Sequence, residues 1–388
     1  MRLAIFGLTI TSSWGNGHAT LWRGLVRALA RRGCRVTFFE RDEPYYADNR
    51  DLPEISGAEI VIYSQWDDVR AKAAAALKEA DAAIVTSYCH DGIAATEMVH
   101  ETGRCLSVFY DLDTPVTLAR LDEGKPVDYI GPRGLRDFDL VLSYTGGRAL
   151  EELRMRLGAR QVVPLYGHVD PDVHQPVAPA DHYRADLSYL GTYAADRQAT
   201  LAALLMAPAR RRPEKRFLIG GAQYPADFPW SENIYFVRHL PPSEHSAFFS
   251  SSRLTLNVTR HAMAEMGWCP SGRLFEAAAC GAAIISDAWA GLDSFFTPGR
   301  EILLAYDGDD VLGALDLTDA ELARMAKAAR ERTLDVHTSA CRAEQLLEAL
   351  SAGRPEHVSS AAPHPGAYLP SNDRATGFRP LTAGRWRS

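Results

Sequence analysis

Several features that would settle a function quickly are missing from this 388-residue chain. Its six cysteines, Cys34, Cys89, Cys105, Cys269, Cys280 and Cys341, are scattered and form no CxxC pair, which excludes the common zinc and dithiol signatures and favours reduced core thiols. Long apolar runs are also absent. The amino-terminal MRLAIFGLTI passes straight into a turn, lacks a small-residue cleavage site and is too short to span a bilayer. It is expected to be the first strand of a cytoplasmic protein with no stable membrane insertion. Basic charge is not in excess: a net charge of −7 and a pI near 6.0 give no general attraction to nucleic acid or anionic membrane, so no nucleic-acid partner is expected.

What remains is the composition of a globular α/β protein. Hydrophobic residues make up 46% and charged residues 23%, enough to fill two cores and keep the surface polar, and the length suits two domains better than one. Residues 3–10 form a continuous apolar run, as in a strand buried on both faces of a parallel sheet. Beyond the turn Gly15-Asn16-Gly17-His18 the spacing becomes helical, with Leu21, Leu25 and Leu29 on one stripe, Gly33 ends the helix, and residues 35–40 form the next strand. The alternation continues through strands at 59–63, 82–86, 105–110 and 140–143. It predicts a doubly wound sheet.

Ligands of such sheets lie beyond the carboxyl ends of the strands, and here those ends are polar. His18 stands where the first helix begins, suited either to proton transfer or to a capping role. Asp111 and Asp113 follow a strand, and two carboxylates so spaced can share a divalent cation or serve local hydrogen bonds. The segment 15–20 with Glu40 some twenty residues on partly matches a dinucleotide fingerprint, but Thr20 holds the third glycine position and residues 11–14 lengthen the loop. Trp14, Trp22, Tyr45, Tyr46, Tyr88 and Tyr110 lie near these loops and can stack on a sugar ring or fill the core.

Prolines at 164, 171, 176 and 179 mark a linker, after which a second series begins, with strands at 186–190, 216–220, 234–237, 254–258, 283–286 and 301–304. The first of these runs into Gly191, Thr192 and Tyr193, and Arg197 falls on the first turn of the next helix, where it would meet a phosphate. The most telling segment is Pro270-Ser271-Gly272-Arg273-Leu274-Phe275-Glu276. Ser271 and Gly272 start a helix whose free N–H groups and dipole suit a pyrophosphate, Glu276 one turn on is spaced for ribose hydroxyls, and Arg260 and Arg273 add cationic donors. The competing reading is an ordinary capped helix packed through Leu274, Phe275 and Ala278.

Taken together, the segments 14–20, 39–42, 111–115, 189–193, 257–260, 270–281 and 291–293 resemble bacterial glycosyltransferases of the spore-maturation CgeB-like group, over about residues 1–350. The resemblance implies the GT-B architecture, two Rossmann-like doubly wound domains facing across a cleft. It puts the acceptor in residues 1–165, a linker at 166–182, the nucleotide-sugar domain in 183–335 and a helix crossing back at 336–351. It also implies that Glu276 holds the ribose, that the turn 271–273 with Arg197 or Arg260 holds the diphosphate beside Gly191, Thr192 and Tyr193, and that backbone near His239 and Leu240 meets the base. On the acceptor side stand Gly15, Asn16, Gly17 and Tyr110, with Asp113, His18 or Asp111 as the catalytic group. One departure stands out: where many retaining members carry an acidic residue eight positions before the ribose glutamate, this chain has Trp268, and Glu265 is out of register.

The expected reaction moves a sugar from a nucleotide-diphosphate donor of UDP or dTDP type to a hydroxyl on a glycan, protein or small molecule. No metal or other cofactor is expected, because helix N–H groups and arginines neutralise the leaving diphosphate. A nucleotide-sugar epimerase of the same fold, an NAD-dependent oxidoreductase using the 15–20 loop, and a binding module without turnover are the alternatives. Residues 352–388, rich in Pro, Gly, Ser and Arg, are expected to be an extended tail.

Overall fold

A computed structural model describes residues 1–353, so the expected tail lies outside the described residues apart from its first two positions. β1 (Arg2–Gly7), β2 (Arg35–Arg41), β3 (Ala58–Tyr63), β4 (Ala82–Thr86), β5 (Leu106–Asp111), β6 (Leu140–Ser143) and β7 (Val162–Pro164) form one parallel sheet in the order β3-β2-β1-β4-β5-β6-β7. β8 (Ala185–Leu190), β9 (Phe217–Gly221), β10 (Ile234–Arg238), β11 (Ser252–Asn257), β12 (Ala283–Asp287) and β13 (Leu303–Ala305) form a second, in the order β10-β9-β8-β11-β12-β13. Both are doubly wound Rossmann-like sheets. Each reverses its winding beside its first strand, and that reversal opens a crevice at the carboxyl ends of β1 and β8.

The apolar runs produce these sheets because helices cover both faces. Along β1, Leu3 and Ile5 enter one core while Ala4 and Phe6 enter the other, and along β12 Ile284 faces away from Ala283 and Ile285 in the same way. Trp22, on the helix Gly17–Arg31, is buried against the ring edges of Phe38 and Tyr110. Burying a side chain of this size contributes roughly 2–3 kcal/mol. Trp22 is therefore a core residue and not a stacking platform.

β1 ends at Gly7, three residues short of the apolar run. Ile10 and Thr11 instead turn aside and donate their backbone N–H groups to the fully buried carboxylate of Glu40, at 2.7 and 3.0 Å, and the Thr11 hydroxyl joins them. That arrangement closes the dinucleotide alternative, since Glu40 is occupied within the fold and cannot reach a ribose. β7 was not distinguishable in the sequence, being three residues long and ending in proline.

Residues 165–180 contain neither helix nor strand. They are tied to the first half by Arg27–Asp170 at 2.8 Å and to the second by the Gln175 N–H on the Ser246 hydroxyl at 3.3 Å. The helix Ser339–Ala352 packs on the helix Gly17–Arg31 and puts Ala343, Leu346 and Leu350 into the first sheet's core. Its buried Arg342 donates to the carbonyls of Tyr166, Gly167 and Val336, joining this helix to the linking segment. No helix among the described residues is long and apolar enough to cross a membrane.

Candidate active site

The carboxyl ends of the two sheets enclose a cavity of about 500 Å3, lined from the first half by Gly15, Asn16, Gly17, His18 and Asp113. Gly15 adopts φ +60°, a conformation that favours glycine, and Asn16 caps the following helix through its side-chain oxygen, which accepts the His18 N–H at 2.9 Å. This turn brings His18 Nε2 to 3.1 Å from Asp113 Oδ2, both side chains being only 16% and 20% exposed. His18 Nδ1 has no partner among the described residues. The paired Nε2 and carboxylate stand together in the cavity wall, while Nδ1 is shut away from solvent.

Asp111 supports this pair from beneath. Its Oδ1 accepts the Asp113 N–H and the Thr117 hydroxyl, each at 3.1 Å, while Oδ2 is buried with no hydrogen-bond partner among the described residues. Asp111 therefore lies under the cavity floor and is not a catalytic group in contact with substrate. Tyr110, expected on the acceptor side, lies in the core instead: its ring is buried against Trp22 and its hydroxyl donates to the Leu165 carbonyl at 2.7 Å, so it does not face an acceptor. Tyr46 and Tyr88 are the tyrosines of this half that do reach the cavity wall, together with Tyr144.

Burial pushes the Asp111 carboxyl up from 3.8 to about 6, against the hydrogen bonds that favour its charged form. The folded chain thus keeps a proton that the unfolded chain releases near pH 4, and stability falls as pH rises through that window. The penalty above pH ~6 is about 3 kcal/mol. Asparagine cannot ionise, so Asp111→Asn should gain about 2 kcal/mol relative to the parent when urea unfolding is moved from pH ~4.5 to pH ~7.5. A difference that does not change with pH would show that Asp111 ionises freely in the fold.

The opposite wall comes from the second half. Ser271 caps the helix Gly272–Ala279 without using its side chain, so the first N–H groups of that helix have no side-chain cap and border the cavity with Gly272 and Arg273. Arg273 is held in place by donation to the Leu190 carbonyl and to the Ser271 hydroxyl at 3.1 Å. Gly191 and Thr192 follow β8 into the same wall, whereas Tyr193 does not line it and stacks edge-on with Tyr224 instead. Arg197 is buried, donates to the Tyr189 hydroxyl at 3.0 Å and keeps an Nε with no partner among the described residues. Arg260 pairs with Asp196 at 3.1 Å at the cavity edge.

Glu276 also lines the cavity and is 9% exposed. Burial alone would raise its carboxyl, but His174, His245 and Arg273 outweigh that effect and hold it down at about 2, so it is a carboxylate. His239 takes φ +51°, donates its N–H to the Gly221 carbonyl at 2.7 Å and presents its ring to Trp14 of the other half, 4.1 Å between centroids; Leu240 adjoins it. His174 and His245 were not singled out in the sequence, because no spacing connects them to Glu276 before the chain folds.

The halves also meet directly beside the cavity. Gly146 N–H donates to the Trp268 carbonyl at 2.9 Å and the Tyr144 hydroxyl to the Pro270 carbonyl at 2.8 Å. The Trp268 ring lies so close to Gly147 and Gly291 that a Cβ at either would stand 2.6 or 2.5 Å from it. Trp268 is a packing wedge between the halves. Glu265 is exposed beside His261 and does not line the cavity.

A glycosyl transferase-like family model matches residues 197–348. No curated protein matches the chain by sequence. Among solved structures, the sucrose-phosphate synthase of Thermosynechococcus elongatus is similar at a TM-score of 0.66 and 17% identity, covering 91% of this chain and all of that one. Anabaena HepE in complex with UDP gives 0.65 at 13% identity with the same coverage, and an alpha-glucosyltransferase in complex with UDP gives 0.61 at 13%, covering 90% of this chain and all of that one. Residues 197–348 thus carry a glycosyl transferase-like match, and the described chain has the GT-B fold, two Rossmann-like halves facing across a cleft.

Proposed function

We propose that the protein is a glycosyltransferase that moves a sugar from a UDP-type nucleotide donor to an acceptor hydroxyl without a metal ion, and that it belongs to the CgeB-like group whose motifs it resembles. The carrying observation is that one cavity joins an imidazole–carboxylate pair, His18 and Asp113, to a helix start flanked by arginines. The diphosphate sits against the N–H groups at 271–273 with Arg197 and Arg260, the ribose against Glu276 and the base beside His239 and Leu240. The acceptor enters along Gly15, Asn16 and Gly17. As its oxygen bonds to the anomeric carbon, its proton passes to the His18–Asp113 pair, and the bond from that carbon to the donor phosphate oxygen breaks. The departing negative charge stays on the diphosphate, stabilised by fixed N–H dipoles and guanidinium groups in a partly dehydrated site. UDP as the common partner of HepE and the alpha-glucosyltransferase supports the choice of base. The acidic net charge supports an acceptor that is not a polyanion.

Nucleoside diphosphates offered one at a time in a thermal unfolding series test this reading. UDP at about a hundred times its dissociation constant should stabilise the fold by about 2.7 kcal/mol, and ADP and GDP by much less. A melting temperature that no nucleoside diphosphate raises would overturn it.

A further inference from the structure

His174, His245 and Glu276 come from three separate parts of the fold: the segment between the sheets, the helix His245–Ser250 and the helix Gly272–Ala279. His245 Nδ1 stands 3.5 Å from His174 Nε2 and 3.5 Å from Glu276 Oε2, and the three atoms all lie within 4.8 Å of one another. Both spacings exceed the ordinary 2.7–3.2 Å of a hydrogen bond. A single imidazole nitrogen, with either one proton or one lone pair, also cannot satisfy both neighbours. Yet 3.5 Å is close to the roughly 3.3 Å that separates two ligands of a tetrahedral ion bound at about 2.0–2.1 Å.

We propose that His174, His245 and Glu276 form a site for a divalent transition-metal ion of the zinc class, and that the ion and a nucleotide exclude one another because both use Glu276. Two imidazoles and one carboxylate are a known three-ligand set for such an ion, with the fourth position left open. His245 and Glu276 line the cavity and so provide the route in and the open position; His174 lies behind them, buried. Cys280 follows this helix and its thiol is occupied with the Ser246 hydroxyl, so the set has no thiolate. The ion binds against the repulsion of Arg273, and because ion and nucleotide both use Glu276 the site fills when the nucleotide is absent. The ion would staple the linking segment to two helices of the second half and hold the donor site shut to ribose.

The exclusion rests on the proposed ribose role of Glu276; metal binding itself does not. The full chain, freed of metal, is titrated with Co2+ followed by visible absorption and then with Zn2+ as competitor, in the parent and in His174→Ala and His174→Gln, which lie outside the cavity wall. The expected result is one tetrahedral Co2+ per chain displaced by Zn2+, and a Zn2+ affinity reduced by about tenfold or more in both variants. Zn2+ at about ten times the parent's dissociation constant should weaken UDP binding by about tenfold in the parent and by about twofold or less in the variants. Absence of saturable binding, or equal binding by the parent and the folded Gln variant, overturns the site. Zn2+ binding with no effect on UDP overturns the exclusion, and failure of UDP to bind the metal-free parent counts against the glycosyltransferase reading while leaving the metal result standing.

Discussion

Asp113→Asn should lower turnover by roughly 10²- to 10⁴-fold while UDP affinity stays within about twofold of the parent. The carboxylate is 3.1 Å from His18 Nε2 and makes no hydrogen bond to the donor wall among the described residues, so in the proposed mechanism its loss removes proton transfer and leaves donor contacts in place. Asparagine keeps the shape and can still accept the His18 N–H, but it cannot balance an imidazolium as the acceptor proton arrives. His18→Ala should fall in the same range, and the double variant should be little worse than either single one, because the two groups act as a unit. Single-turnover kinetics alongside calorimetry with UDP would decide the matter. An Asp113→Asn enzyme with near-parental turnover, or one that has lost UDP binding, would remove the pair from the proposed role.

On the donor side, Glu276→Gln should weaken UDP binding by about ten- to a hundredfold, corresponding to about 1.5–3 kcal/mol for a charged hydrogen bond given up to a neutral one. The carboxylate is held ionised at about 2 by its histidine and arginine neighbours despite its burial, so it is charged throughout the working range and offers strong acceptors to ribose hydroxyls. In the proposed arrangement the nucleobase and phosphate contacts do not involve this side chain, and inorganic pyrophosphate should therefore bind the variant and the parent equally well. Equal UDP affinity in parent and variant, measured by calorimetry, would dismiss the ribose assignment.

Much of the fold was legible because apolar runs and helical stripes alternate without interruption, and a parallel sheet covered on both faces requires that pattern. The strands beginning near residues 35, 59, 82, 140 and 283 lie where their periodicity puts them. Legibility failed where packing overrode local pattern. Ile10 belongs to the apolar run, yet the buried Glu40 carboxylate draws its N–H out of the strand. Tyr110 and Trp22 have the composition of a sugar platform, but they meet edge-on in a core that only the paired strands and the first helix define. Asp111 and Asp113 are indistinguishable as a spaced pair; tertiary contacts separate them into a buried support and a cavity residue.

The sequence by itself determined two Rossmann-like sheets, a helix start at 271–273 suited to an anion, and the presence of Glu276 one turn inside it. Those are local properties, set by periodicity, capping chemistry and the 1.5 Å rise of a helix. Only the tertiary structure decided that His18 meets Asp113, that Trp14 reaches His239 across the cleft and that His174 and His245 converge on Glu276. Those pairings join residues far apart in the chain, and they come from sheet winding and from the way the two halves close on the Trp268 wedge, which no short window of sequence encodes.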